Sequence, residues 1–223
     1  LCHMQSNALI SSRIESILPD EDGKRALEMM KNFRVHHLAV VKKDYFLGVI
    51  SDKEIKNWDS TSEYIEEHLS NLASPYVKHD QHLFDIIQVL EKNNLSVVPV
   101  LDNNNKYLGV ITHRKLLYTI AKTATIQSVG GVIILEIEEI DYSLTEIASI
   151  VESNNAKILS SYIISNPDSK KIEVTLKINK QDIRSIIKDF ERHDYIVQAS
   201  YKEEEVDSDF TERYESLMRF LNP

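Results

Sequence analysis

Residues 47–51 read Leu-Gly-Val-Ile-Ser, and residues 108–112 read Leu-Gly-Val-Ile-Thr. The chain has only five glycines in 223 residues. Two of them lie in nearly the same local sequence, 61 positions apart, which indicates an internal repeat. Upstream, residues 20–30 match residues 80–90 at an offset of 60, with apolar side chains at helical spacing in both. The chain therefore begins with two copies of one folding motif.

Each copy has two short apolar runs of strand length after its helical stripe. The first run lies at residues 37–41 and 97–101, and the Gly-Val-Ile segment forms the second, with a turn between them. In the second copy this turn contains Asp-Asn-Asn-Asn at 102–105, which favours a hairpin and adds the extra residue that changes the offset. The pattern predicts strand, helix, strand, strand, helix in each copy, with a helical linker over residues 59–73.

Each copy resembles a CBS (cystathionine beta-synthase type) motif, and two in tandem resemble a Bateman module. The most specific element of the resemblance is the pattern Gly-hydrophobic-hydrophobic-Thr/Ser-x-x-Asp. It reads Gly-Val-Ile-Ser-Asp-Lys-Glu at 48–54 and Gly-Val-Ile-Thr-His-Arg-Lys at 109–115. We expect the first motif at residues 10–58 and the second at residues 74–125.

After Thr123 the pattern changes to strand, helix, strand, strand, helix, strand over residues 129–203. This order is the split βαβ arrangement of the ferredoxin-like fold. The fold class is therefore α/β of the α+β type, a tandem CBS pair followed by a ferredoxin-like βαββαβ domain. Such a domain after a CBS pair resembles an ACT domain, and the whole chain is similar to the acetoin-utilisation (AcuB-type) CBS-ACT proteins. Residues 204–223 predict an acidic, amphipathic helix that docks on its own domain or contacts a second copy.

Composition and charge limit the class of protein. The chain is 42% hydrophobic and 27% charged, as in globular proteins, and no apolar stretch approaches the about 20 residues of a membrane span. Residues 1–125 carry 15 basic and 16 acidic side chains, and residues 126–223 carry 11 and 19, so neither half has the clustered positive charge that nucleic acid requires. We expect no nucleic-acid or membrane partner.

A single cysteine, Cys2, excludes an intrachain disulfide framework and a multi-cysteine zinc site, which suits a reducing cytoplasm. We expect a cytoplasmic protein. The start Leu-Cys-His-Met suggests a cloning junction, so we expect Met4 to be the native initiator.

The resemblance implies an adenosyl ligand, such as AMP, ADP, ATP or S-adenosylmethionine, in the cleft between the copies. Backbone amides at a helix N-terminus favour phosphate, and Ser51 and Thr112 would add their hydroxyls. The family's Asp, which accepts hydrogen bonds from the ribose, corresponds to Glu54 in the first copy and to Lys115 in the second. Lys115 has no acceptor, so together with Arg114 it would contact phosphates and favour polyphosphate nucleotides.

In this family, backbone groups at the starts of the strands that line the cleft bind the base of the ligand. Adjacent residues on a strand point to opposite faces, so the histidine pair at these strand starts cannot jointly chelate a metal, and we expect no metal site. The nucleotide-binding set is completed by His36, His37, Asp52, Ser96 and Val97.

Two polar patterns also have an explanation without a ligand. The first is Ser51-x-x-Glu54, which is a capping box for the helix that follows. The second is the turn Asp141-Tyr142-Ser143, where ACT domains bind amino acids but where Ser143 replaces the family's Gly and again begins a capping box.

These features favour a non-catalytic regulatory protein that binds an adenosyl ligand and signals to the ACT domain or to a regulated enzyme. We expect a homodimer formed through the CBS or the ACT domains. The alternatives are a structural adaptor with vestigial clefts and an amino-acid-binding ACT regulator. The chain has no nucleophile elbow, no P-loop and no zinc-protease motif, so we expect no catalytic residues and no cofactor beyond the regulatory ligand.

Overall fold

The computed structural model describes residues 4–11, 13–165, 167 and 169–201. The chain divides into two compact units, the first ending at Ala121 and the second beginning at Lys122. Helices and sheets occur in both units, which confirms the predicted α+β class. The helix predicted over residues 204–223 lies outside the described residues. Across the described ranges, no helix combines the length and the apolar character that crossing a bilayer would need.

The first unit contains the repeat, and each copy contributes a helix, an antiparallel hairpin and a second helix. Its elements follow in the order α1 (Ser6–Leu9), α2 (Gly23–Phe33), β1 (His37–Lys42), β2 (Tyr45–Ser51), α3 (Asp52–Lys56), a 3-10 helix (Ile65–Asn71), β3 (Val77–Lys78), α4 (Leu83–Lys92), β4 (Val97–Leu101), β5 (Tyr107–Thr112) and α5 (His113–Ala121).

The two hairpins share their irregularities as well as their pairing. In β1–β2 the register shifts after Val40, and in β4–β5 it shifts after Val100. The residue opposite this point is Gly48 in the first hairpin and Gly109 in the second. The internal symmetry predicted from the repeated Gly-Val-Ile sequence therefore extends to individual cross-strand residue pairs.

The leading strand differs between the copies. In the second copy β3 pairs in parallel with β4, whereas in the first copy Ile17 makes only an isolated parallel bridge to Val40. Pro19 follows two residues later and has no N–H to continue the ladder, so the pairing ends there. Within the linker over residues 59–73 the helical segment is the tighter 3-10 form.

The second unit has the element order predicted for a ferredoxin-like domain. Its elements are α6 (Ala124–Gln127), β6 (Val132–Glu138), a 3-10 helix (Glu139–Asp141), α7 (Leu144–Ser153), β7 (Ile158–Ser165), β8 (Lys171–Ile178), α8 (Arg184–Arg192) and β9 (Ile196–Tyr201).

The sheet of the second unit has the strand order β7-β8-β6-β9, and every neighbouring pair is antiparallel. Alternate residues of β6, namely Ile133, Leu135 and Ile137, are buried in one cluster with Ile147 of α7 and Phe190 of α8. Both helices therefore cover the same face of the sheet, as in the ferredoxin-like arrangement.

A buried serine connects the two copies of the first unit. Ser96 accepts a hydrogen bond from the backbone N–H of His36 through its Oγ, at 2.9 Å, and donates its own backbone N–H to Nδ1 of His37 at 3.2 Å. Its carbonyl accepts from the Nδ1 of His113 at 3.0 Å, at the start of α5. We call these contacts the Ser96 junction. Since Nδ1 of His37 accepts a hydrogen bond here, protonation of that nitrogen would remove the contact.

The Ser96 junction predicts a pH dependence of stability. Burial lowers the pKa of His37, so the unfolded chain binds the proton more tightly than the folded chain does. Its contribution to the free energy of unfolding is therefore complete above the unfolded value of 6.5 and is lost as the pH falls below it. We expect His37→Asn, whose amide oxygen accepts but does not titrate, to reduce the pH dependence. Urea unfolding followed by the fluorescence of Trp58, the only tryptophan, measures this in the first unit. If the free energy of unfolding of His37→Asn depends on pH as steeply as that of the wild type, the assignment is wrong.

Gly109 predicts a second effect on stability. Its φ is +141°, and a Cβ at this position would lie 2.6 Å from Cγ2 of Ile10. We expect Gly109→Ala to lower the free energy of unfolding of the first unit by about 1–3 kcal/mol. The exposed Ser74→Ala is the matched control, with an expected effect within about 0.5 kcal/mol. Equal effects of the two substitutions on the Trp58 transition would show that Gly109 is not required.

Candidate functional site

The motif of the second copy ends in a helix that is capped by its own threonine. Thr112 is the last residue of β5, and its Oγ1 accepts a hydrogen bond from the backbone N–H of Lys115 at 2.9 Å. The hydroxyl hydrogen of Thr112 is not used in this contact and can be donated to another acceptor. The cap therefore leaves one donor available at the start of α5.

A cavity of about 630 Å³ opens beside this first turn of α5. Three segments of the first unit form it: the chain that precedes the helix of the first copy, the end of α2, and the start of α5. We call it the basic cavity. Its lining consists of residues 10–11, 13–14, 32–35 and 112–115 together with Tyr118.

The lining of the basic cavity contains four cations. Arg13, Arg34, Arg114 and Lys115 line it, and none of the described lining residues is Asp or Glu. Within the part of the chain that the structure describes, none of these four side chains forms an ion pair with a carboxylate. The guanidinium carbon of Arg114 lies 5.7 Å from the ring centroid of Tyr118, within the range of a cation–π contact. The lining thus presents positive charge that no described carboxylate neutralises through an ion pair.

Much of the remaining lining of the basic cavity is apolar. Ile10, Ile14, Phe33 and Val35 contribute aliphatic and aromatic surface, and Tyr118 adds a half-exposed ring. A cavity with an apolar side and a few charged groups is the usual form of a small-molecule site, and its volume lies in the range of about 300–1,000 Å³. The arrangement suits an anion that carries a flat apolar group.

The corresponding position in the first copy has different chemistry. Ser51 donates its hydroxyl to Oε2 of Glu54 at 2.6 Å, and its Oγ accepts the backbone N–H of Glu54 at 3.1 Å. The backbone N–H of Ser51 also donates to Oε2 of Glu54, at 2.7 Å. This complete capping box uses both the donor and one acceptor site of the Ser51 hydroxyl. Unlike Thr112, Ser51 has no hydroxyl hydrogen left for a ligand.

Asp52 faces a groove of about 470 Å³ between α2 and α3, which shares Arg34 and Val35 with the lining of the basic cavity. Its carboxylate accepts from Nζ of Lys56 at 2.7 Å and lies 3.6 Å from Nδ1 of His36. The hydrogen bond from Lys56 lowers the pKa of Asp52, and the charges of Lys56 and His36 act in the same direction. The cation Lys56 is therefore partly neutralised in the folded protein.

A smaller cavity of about 200 Å³ lies between α3 and the linker. The rings of Trp58 and His68 stack there with centroids 3.9 Å apart and an angle of 7°. Nε2 of His68 contacts Oε2 of Glu63 at 2.8 Å, which fixes the orientation of the imidazole. These side chains occupy the space beside Glu54, so the two copies do not present equivalent cavities.

The structure separates the predicted nucleotide-binding residues. Three of them share the basic cavity: Thr112, Arg114 and Lys115. The others lie elsewhere: His36 and Asp52 at the α2–α3 groove, Glu54 at the smaller cavity, Ser51 in its capping box, and His37, Ser96 and Val97 at or beside the buried Ser96 junction.

Two cations of the basic cavity were not predicted from sequence. Arg13 lies in the first motif before α2, and Arg34 is the left-handed C-cap of α2, with a φ of 55°. Neither belongs to a charged run, and about 80 to 100 positions separate them from Lys115. Across the described residues, no three His, Cys, Asp or Glu side chains converge on a point that could hold a metal.

The turn predicted as an amino-acid site lies in the second unit. Ser143 is the N-cap of α7 and accepts the backbone N–H of Glu146 at 3.3 Å, and Tyr142 packs against the core. Asp141 and Glu146 line a cavity of about 380 Å³. Burial raises the pKa of Tyr195 in the same wall to about 12, with a further contribution from Glu146. The carboxylates in this wall are Glu136, Glu138, Asp141, Glu146 and Asp194.

Comparison with known proteins supports the repeat directly. Residues 7–60 and 69–122 each match the family model of the CBS domain. An uncharacterised protein of Methanocaldococcus jannaschii is 31% identical over 83 residues, which are 37% of this chain and 28% of that protein. Inosine-5'-monophosphate dehydrogenase of the same organism is 19% identical over 114 residues, 51% of this chain and 23% of the enzyme. The chain thus spans about a quarter of the length of these curated relatives.

Among solved structures, a CBS domain pair/ACT domain protein from Thermotoga maritima matches 53% of this chain and 98% of its own, with 13% identity and a TM-score of 0.48. The cytosolic domain of the Mg²⁺ channel MgtE in complex with ATP matches 52% of this chain and 49% of its own, with 16% identity and a TM-score of 0.45. CBSX2 in complex with AMP matches 53% and 97%, with 18% identity and a TM-score of 0.44. Likenesses this distant carry no inference about function.

The family match covers both copies of the repeat, and the two hairpins agree down to the position of the register shift. The predicted tandem is therefore confirmed. Residues 7–122 of this chain form a tandem pair of CBS domains.

Proposed function

We propose that this protein is a non-catalytic regulator that binds an adenosyl ligand, such as AMP, ADP, ATP or S-adenosylmethionine, in the basic cavity of its CBS pair. The observation that carries the proposal is the composition of that one cavity. It combines four cations, the free hydroxyl hydrogen of Thr112 and an apolar wall, and no described lining residue is a carboxylate.

Each part of the ligand has a partner of matching chemistry. Phosphate oxygens accept from the Thr112 hydroxyl and from the cations of the first turn, Arg114 and Lys115. The base packs on the apolar wall, where Phe33 and Tyr118 offer aromatic rings. A ligand held in this way contacts residues from both CBS copies at once.

Contact with both copies supplies the means of regulation. A ligand shifts an equilibrium only if it binds two states unequally. Arg13 and Arg34 come from the first half of the pair, whereas Arg114 and Lys115 come from the second. A ligand that contacts both halves therefore favours the state in which the hydrogen bonds of the Ser96 junction are formed.

The second unit is proposed to be an ACT-like module that receives this signal or pairs with a second copy. Its sheet order and the helices on one face support the fold of such a module. The strand β7 forms one edge of that sheet and contains no charged residue, and charged residues on an edge normally oppose pairing. We propose a cytoplasmic homodimer of the acetoin-utilisation (AcuB) type that controls an enzyme.

A structural adaptor is the second candidate function. The first copy supports it, since the capping box of Ser51 and Glu54 and the stack of Trp58 on His68 explain these polar residues without a ligand. The two functions differ in one measurable property, a saturable nucleotide site in the second copy.

Two matched alanine substitutions test the proposal. Ser51 and Thr112 each accept the backbone N–H of the residue three positions later, so replacing either with Ala removes a helix cap and should cost about 1 kcal/mol of stability. We expect Thr112→Ala to weaken nucleotide binding by about tenfold, because it also removes a donor to the ligand. Ser51→Ala should leave the affinity unchanged. Isothermal titration calorimetry with ATP, ADP, AMP and S-adenosylmethionine on the full chain measures both effects.

Thermal unfolding with the same ligands provides an independent readout. A ligand at about 100 times its dissociation constant should stabilise the protein by about 2.7 kcal/mol. Loss of binding in Ser51→Ala but not in Thr112→Ala would move the site to the first copy. The absence of binding by every adenosyl compound would favour the adaptor, and stabilisation by an amino acid alone would favour the ACT turn at Asp141, Tyr142 and Ser143.

A further inference from the structure

The basic cavity also carries information about which ligands it selects. We propose that it discriminates by phosphate count, binding ligands with two or more linked phosphates in preference to nucleoside monophosphates and free nucleosides. This inference rests on the proposed function, because it concerns the same cavity. It goes further by assigning the selectivity to the polyphosphate tail and not to the ribose.

The first step is the number and origin of the cations. Arg13 and Arg34 approach the cavity from the first half of the pair, and Arg114 and Lys115 from the first turn of α5. Four cations line this cavity of about 630 Å³, and a chain of linked phosphates has more oxygens to accept hydrogen bonds from them than a single phosphate has. Each added phosphate therefore gains contacts that a monophosphate leaves unused.

The second step is that these cations are not neutralised. Within the described ranges, no carboxylate pairs with any of the four. The α2–α3 groove provides a comparison, since there Asp52 accepts from Nζ of Lys56 at 2.7 Å and lies 3.6 Å from Nδ1 of His36, whereas Arg34, which lines both the groove and the cavity, has no ion pair with it. Like charges that converge without a counter-ion repel one another, and a polyanion relieves that repulsion more completely than a monoanion does.

The third step concerns the ribose. Recognition of a sugar diol is strongest with a carboxylate, which accepts from both hydroxyls, and the described lining contains none. The side-chain acceptors that remain are on Ser11, Asn32, Thr112, His113 and Tyr118, none of them a carboxylate, and Thr112 already accepts from the backbone of Lys115. The nucleoside therefore contributes mainly its apolar surface, and the phosphates contribute the charge-assisted contacts.

The experiment compares ligands that differ only in the phosphate tail. Calorimetric titrations of the full chain at low salt without divalent cations would use ATP, ADP, AMP, adenosine and inorganic tripolyphosphate. We expect the affinity to fall in the order ATP, ADP, AMP, adenosine, with ATP at least about tenfold tighter than AMP. Added salt should weaken ATP binding more than adenosine binding, because screening acts on the charged contacts. Tripolyphosphate should compete with ATP.

A charge reversal at one lining residue tests the cause. Lys115→Asp replaces a cation with the only carboxylate among the described lining residues. We expect it to weaken ATP binding by at least about tenfold and to abolish the advantage of ATP over AMP, while adenosine binds as well as before or better. Lys24→Asp is the matched control, since Lys24 is an exposed cation of α2 that does not line the cavity. This variant should keep the wild-type order of affinities.

The outcomes separate this inference from the proposed function. If AMP or adenosine binds as tightly as ATP and Thr112→Ala still weakens binding, the cavity is an adenosyl site and the selectivity by phosphate count is wrong. If tripolyphosphate binds but no adenosyl compound exceeds it, the selectivity holds and the adenosyl assignment fails. If none of the five compounds binds, both fail.

Discussion

The hydrogen bonds of Ser96 hold the two CBS copies in the register on which the basic cavity depends. The hydroxyl and the backbone amide of this buried serine both bond to the first copy, and its carbonyl accepts from His113 at the start of α5. A residue buried to this degree must satisfy its polar groups within the protein, so the partners cannot shift independently. Arg34 precedes His36 by two residues and Lys115 follows His113 by two, so these contacts constrain the backbone beside both cations.

The repeat shows how one backbone plan supports two kinds of chemistry. Both copies end their hairpin in a hydroxyl residue that caps a helix, yet Ser51 donates its hydroxyl to Glu54 while Thr112 keeps its hydrogen free. The difference arises three residues later, where a carboxylate in one copy is replaced by Lys115 in the other. Together with the stack of Trp58 on His68, this explains why the cavity beside Thr112 differs in its chemistry from the cavity beside Glu54.

Net charge does not describe the electrostatics that a ligand meets. The chain has a formal net charge of -9, and its first 125 residues are almost neutral, but the fold collects four unpaired cations around one cavity. The second unit does the opposite, since the cavity beside Asp141 is walled mainly by carboxylates. Local fields of opposite sign in the two units are consistent with separate tasks, anion binding in one and signalling or assembly in the other.

The sequence by itself determined the repeat, the hairpins and the order of the main elements, apart from the leading strand of the first copy, because these depend on local periodicity, turn residues and glycine positions. It also determined that Thr112 and Lys115 share a helix start, since three residues separate them. It also predicted the capping box of Ser51 and Glu54, but it could not show that the Ser51 hydroxyl donates to Glu54 or that Arg13 and Arg34 join the second copy's motif. Those facts depend on side-chain orientation and on contacts between segments about 80 to 100 positions apart. Only tertiary packing brings such residues together, and the local sequence pattern does not predict contacts between distant segments.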